Sequence, residues 1–148
     1  MNGLNEACKM LLDEGLENVF VRHHRMAEGV RAAVQAWGLK LCAETPDVYS
    51  DTVSAIRTPD GFNATDIVTH AASTYGVAFG VGLGDVAGKV FRIGHLGSLT
   101  DVMALSGIAT AEMCMVDLGL DIKLGSGVAA AQEYYRHGAP ISQKVAAE

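Results

Sequence analysis

A chain of 148 residues is the length of one ordinary domain and can bury a core of its own. With 49% hydrophobic and only 19% charged residues it is apolar for its size, which points to a surface partly covered by something else. A net charge of -6 with no dominant Lys/Arg patch argues against nucleic acid as a partner. There is no secretory h-region and no apolar run long enough for a bilayer, so a soluble cytoplasmic domain that avoids membranes is expected.

Leu4, Ala7, Cys8, Leu11 and Leu12 recur at helical spacing, predicting an amphipathic helix over 3–14 that Gly15 interrupts. A longer helix follows on Val19, Phe20, His23, Met26, Ala27, Val30, Ala33, Val34 and Trp37, with Gly38 as its C′ stop. His23 lies on the apolar side of that pattern, and His24 and Arg25 are expected to face outward. Leu39–Cys42 is a short apolar run, and AETPDVYSD reads as loop because Pro46 forbids a regular helix. Thr52–Arg57 alternates with period two and predicts a strand. After the Pro-Asp-Gly turn, Asn63 is placed to cap a helix over Ala64–Thr74 that stops at Tyr75-Gly76.

VAFGVGLGDVAGKVFRIGHLG then reads as a short strand, a glycine-rich loop and a second strand over Lys89–Ile93. Ser98 and Asp101 bracket a helix start, and the helix is expected from Leu99 to Leu118. Val102, Leu105, Ile108, Ala109, Met113 and Val116 are its expected inner face, and Gly119 closes it. A tail with a short helix over Val128–Arg136 and a frayed end after Pro140 completes the chain. The fold class is therefore α+β: a small three- to four-stranded, mostly antiparallel sheet with helices on one face. The strands are apolar enough on both sides to suggest that the other face docks on a partner.

Cys8, Cys42 and Cys114 show no CxxC spacing and read as small buried hydrophobes in a reducing compartment, without a disulfide frame or a metal site. No phosphate loop or HExxH motif is present. GVGLGDVAG contains G-x-G, but a strand follows it, so no helix N-terminus can be aimed at a pyrophosphate. None of Lys9, Lys40, Lys89, Lys123 and Lys144 sits in the apolar setting that activates a covalent lysine. Asp51, Asp60, Asp66 and Asp101 occupy turn and capping positions, so no catalytic residue is assigned.

Arg92 is the exception. In the period of the strand it shares a face with Val90 and Gly94, opposite Phe91 and Ile93. A guanidinium there is either the cationic half of a structural ion pair, with Asp85 or Glu112, or a planar fork kept for a small carboxylate. The spacing alone leaves both open.

GVGLGDVAGKVFRIGHLG resembles one family, the class V (fold type I) pyridoxal-phosphate aminotransferases that act on glyoxylate, serine–glyoxylate and alanine–glyoxylate aminotransferases above all. GLENVFVRHHRMAEGVRAAVQAWGLKLC, YSDTVSAIRTPDG and NATDIVTHAASTYGVAFGVGLG are similar to the family's linking helix, next strand and turn, and following helix, so the resemblance covers nearly the whole chain. It implies only the C-terminal small domain. Residues 1–15 would be the remnant of a large-domain helix, 16–122 the small domain, and 123–148 a tail. It further implies that Arg92 binds the carboxylate of a small amino acid or 2-oxo acid. Gly80, Gly82 and Gly84 would form a loop at the mouth of the site, and Gly94 and Gly97 would clear space around the arginine. His95 has no matched role and is read as a packing residue. Pyridoxal phosphate would be held by a large domain, in the same chain or a separate one, that carries the Schiff-base lysine. No covalent cofactor is then expected on this chain, which alone should be inactive. A homo-oligomer is the expected assembly, and the alternative is a stand-alone binding or oligomerisation module. The amino donor is not legible here.

Overall fold

Helix α1 (Asn2–Glu14) breaks at Gly15, whose φ of 84° suits glycine, and the chain turns directly into α2 (Leu16–Ala36). The computed structural model describes residues 2–138, so Lys144 and the end of the tail after Pro140 lie outside the described residues. The remaining elements are β1 (Lys40–Leu41), β2 (Val53–Arg57), α3 (Ala64–His70), β3 (Gly80–Val81), β4 (Val90–Gly94), α4 (Asp101–Asp117) and α5 (Ser126–His137). A wide π-type turn, Ala71–Tyr75, extends α3 to Gly76. No helix among the described residues is long and apolar enough to cross a membrane.

The expected glycine stops are real. Gly38 and Leu39 donate back to the carbonyls of Gln35 and Val34 at 3.0 and 3.1 Å, and Gly119 and Leu120 repeat the pattern on Val116 and Met115 at 3.0 and 2.9 Å. Each pair satisfies carbonyls that the end of a helix leaves without partners. Asn63 caps α3 through the Thr65 N–H, as its position predicts. For α4 the cap is Thr100, which accepts from the Met103 N–H, and not Ser98.

The four strands form one antiparallel sheet in the order β1-β2-β4-β3. Ile56, Phe91 and Ile93 point from one face into a core filled by Met26, Val30 and Val34 of α2 and Ile108 and Met115 of α4. The helices therefore cover one face, and Val53, Ala55, Arg57, Arg92 and Gly94 lie on the other. This is the α+β arrangement expected from the sequence. Helix α5 packs into the same core: a methyl group added at Gly29 would fall 2.1 Å from the Tyr135 ring, and one at Gly127 would fall 2.3 Å from Trp37 Nε1.

Three expectations about burial need correction. On α4 the buried residues include Ala104, Ile108, Ala111, Glu112 and Met115, whereas Val102 is 74% exposed and Val116 39% exposed. The helix is apolar on nearly every side, so periodicity alone could not choose its phase. Arg25 is buried and does not face outward, because Asp101 accepts from its guanidinium at 2.8 Å and the Tyr135 carbonyl also accepts from it. Of the cysteines only Cys114 is buried; Cys42 is half-buried and Cys8, on the uncovered helix α1, is exposed.

Candidate functional site

Arg92 sits in the middle of β4, opposite Ala55 of β2 on one side and Gly80 of β3 on the other. Its Nε donates to the Val81 carbonyl at 3.0 Å. That bond turns the side chain along the edge strand, over Gly80. A methyl group added at Gly80 would lie 3.0 Å from Arg92 Nε and 3.1 Å from its Cβ. Glycine leaves that space to the arginine, because any side chain there would push the arginine aside by a few tenths of an ångström.

Among the described residues, no carboxylate pairs with Arg92, and its two terminal nitrogens have no hydrogen-bond partner. The structural ion pair is therefore not formed: neither Asp85 nor Glu112 reaches the guanidinium. Glu112 is instead engaged by Trp37 and by backbone N–H groups of residues 125, 127 and 128. A half-buried, planar cation with its fork left open can take a carboxylate in bidentate fashion.

The glycines expected around it divide by role. Gly80 belongs to β3 and makes room for Arg92. Gly82 packs under the backbone of Val86, and Gly84, with φ of 54°, starts the turn that follows, so only these two lie in the loop. A methyl group at Gly94 or Gly97 would meet no heavy atom within 4 Å, so neither is what clears space for the arginine. Gly97 has another use: its N–H donates to His23 Nε2 at 3.1 Å and its carbonyl accepts from Arg22 Nη1 at 2.5 Å. A contact 74 or 75 positions apart in the chain leaves no local signal.

His95 is buried on the core side, where its Nδ1–H donates to the Asp51 carbonyl at 3.0 Å and its Nε2 accepts from the Ser54 hydroxyl at 3.0 Å. Burial is the main cause that pushes its imidazole below the ordinary value of 6.5. A histidine lowered on folding is neutral in both states above that ordinary value. As the pH falls below it, the unfolded chain takes up the proton first, so stability declines through the lowered folded value. Urea midpoints measured between about pH 7.5 and 5 are expected to show this decline, and His95→Gln is expected to flatten it. An equal slope in the variant would assign the acid sensitivity elsewhere.

A separate groove of about 480 Å³ lies between the C-terminal half of α2 and β1, lined by Arg31, Lys40, Glu44, Tyr49 and Arg57 among others, and does not include Arg92. Arg31 is there for structure: it bonds Glu28, the Ser50 carbonyl and Asp51, and lies over the Tyr49 ring at 5.1 Å.

No family model matches the chain. It is 72% identical over 147 residues to an L-aspartate–glyoxylate aminotransferase of Paracoccus denitrificans, in an alignment covering 99% of the chain and 37% of that protein. It is 54% identical over 142 residues to a serine–glyoxylate aminotransferase of Hyphomicrobium methylovorum, covering 96% of the chain and 35% of that protein. Among solved structures, pyridoxamine–pyruvate aminotransferase of Mesorhizobium loti superposes with a TM-score of 0.87 at 35% identity, covering 93% of this chain and 36% of that one. The chain thus spans little more than a third of the length of the relatives it matches.

Proposed function

We propose that the chain is the C-terminal domain of a class V pyridoxal-phosphate aminotransferase, and that it holds the substrate carboxylate while an amino group passes from a small amino acid, serine or alanine, to glyoxylate. The observation that carries this is the open guanidinium of Arg92, seated over Gly80 with no carboxylate of the described residues paired to it. Named relatives that act on aspartate and on serine support glyoxylate as the shared acceptor and leave the donor to a pocket outside this chain.

Pyridoxal phosphate supplies the electron sink for such a transfer. The described residues do not suit holding it: Lys9, Lys40, Lys89 and Lys123 are all exposed, unlike a desolvated Schiff-base lysine. The cofactor site is proposed to lie in a large domain, in the same or a separate chain. Residues 1–15 would be the end of one of its helices, 16–122 the small domain and 123–148 its tail. A cytoplasmic homodimer is the proposed setting. One feature favours the alternative of a stand-alone interaction module: α1 buries none of its residues, and Leu4, Leu12 and Phe20 are 73%, 69% and 59% exposed. A large domain would cover the same stripe.

Two measurements test the reading. The 148-residue chain mixed with pyridoxal phosphate is expected to give no internal-aldimine absorbance. The chain joined to a large domain is expected to move an amino group to glyoxylate. An aldimine band on the chain alone would overturn the placement of the lysine, and no transfer to glyoxylate by the joined protein would overturn the activity.

A further inference from the structure

We propose that Arg22 and His23 form a proton-sensitive grip on Gly97 that positions the turn after β4, and through it Arg92. Consecutive residues of α2 hold both polar groups of one peptide unit's glycine: the Gly97 N–H goes to His23 Nε2 and the Gly97 carbonyl to Arg22 Nη1. His23 is buried and uses both ring nitrogens. Its Nδ1 stands 2.7 Å from the Val19 carbonyl, which can only accept, so the proton is on Nδ1 and Nε2 is left as the acceptor that Gly97 needs. Arg22 is fixed in turn by a two-pronged bond to Glu14, at 2.6 and 2.7 Å, at the corner where α1 meets α2.

His95 holds the other end of the same turn in the same tautomer, donating from Nδ1 to Asp51 and accepting at Nε2 from Ser54. Between the two anchored residues only Leu96 projects, 68% exposed. Protonating His23 at Nε2 sets a donor against the Gly97 N–H and opens the grip. The charged and titratable groups facing the two rings are Glu14 from α1, Arg22 and Arg31 from α2, and Asp51 from the segment before β2; the rings also face each other. At the His95 ring, Asp51 favours the proton, while Arg31 and the second imidazole oppose it. No described residue other than His23 offers the Gly97 N–H an acceptor.

The grip itself stands on these contacts, and its effect on substrate rests on the carboxylate role proposed for Arg92. The test uses the ¹⁵N-labelled chain. Long-range correlations across the imidazoles are expected to show the Nδ1–H tautomer for both histidines at neutral pH. The Gly97 amide is expected to lose about tenfold of its exchange protection, the worth of one buried hydrogen bond, as the chain is acidified. His23→Gln replaces Nε2 with an amide oxygen that does not titrate, and is expected to keep Gly97 protected into the acid range. An Nε2–H tautomer at His23, or Gly97 protection that fades with acid equally in His23→Gln, would overturn the grip. In the joined enzyme the acid rise in KM is expected to vanish in His23→Gln. A rise that persists there overturns the link to Arg92. An Arg92→Ala enzyme with unchanged KM would instead overturn the carboxylate reading and leave the amide result standing.

Discussion

In the aminotransferase proposed to carry this domain, Arg92→Ala is expected to raise the KM for the amino-acid substrate by about a hundred- to a thousandfold, the loss of two charge-assisted hydrogen bonds to one carboxylate. The effect falls mainly on KM if the carboxylate is held equally in the ground and transition states, because the reacting bonds lie at the other end of the substrate. Arg92→Lys keeps a positive charge but loses the fork, and is expected to recover only part of the affinity. The geometry supplies a sharper variant. Gly80→Val leaves the arginine in place but puts a branched side chain where Nε and Cβ now lie within 3.0–3.1 Å. The valine side chain is expected to push the guanidinium off the edge strand and weaken its bond to the Val81 carbonyl. A KM increase of about tenfold or more with the charge retained is therefore expected, since a small misplacement of a binding group is costly. Steady-state kinetics across several amino donors would check both. A normal KM in Arg92→Ala would return Arg92 to a structural role, and a normal KM in Gly80→Val would show that the observed pose is not the binding pose.

Arg92 also shows where local reading stops. Its face on β4 follows from period two, and the register confirms that it opposes Ala55 and Gly80, away from Phe91 and Ile93. The helix stops at Gly38 and Gly119 and the cap at Asn63 were legible for a similar reason: each is a property of a few consecutive residues. What was hidden is non-local. Gly80 matters because of a residue on the next strand, and Gly97 because of two residues on α2. Arg25 looked like a solvated position because a periodicity argument scores charge as outward, and it cannot see that Asp101 and the Tyr135 carbonyl wait inside. The phase of α4 was hidden for the opposite reason, an excess of apolar residues. The family resemblance pointed to Arg92, and the structure adds that no carboxylate among the described residues pairs with it.

Glu112 is the residue that this wrong phase concealed, and it carries the largest stability prediction. It is a carboxylate only 1% exposed, set among the apolar residues of α4. Its Oε1 accepts from Trp37 Nε1 at 2.8 Å and from the Gly127 N–H at 2.5 Å, and its Oε2 accepts from the Gly125 N–H at 2.9 Å. The Val128 N–H adds a longer contact of 3.4 Å to Oε1. Helix α5 has no side-chain cap of its own, so Glu112 satisfies the N–H groups that the first turn leaves orphaned and meets the positive end of the helix dipole. Through Trp37 it also ties in the last residue of the α2 cap. One side chain thereby joins α2, α4 and α5. Glu112→Ala strands several buried donors at once, and at about 1–3 kcal/mol for each uncompensated group the expected loss is about 3–5 kcal/mol, allowing for water entering the gap. Glu112→Gln keeps the shape but points an NH₂ at donors, and is expected to cost about 1.5–3 kcal/mol. Urea denaturation of the chain checks the order, with near-ultraviolet circular dichroism reporting the Trp37 environment. If Glu112→Gln matches the parent chain in both, the carboxylate is not what holds α5, and the close approach of Gly127 to Trp37 must be doing so alone.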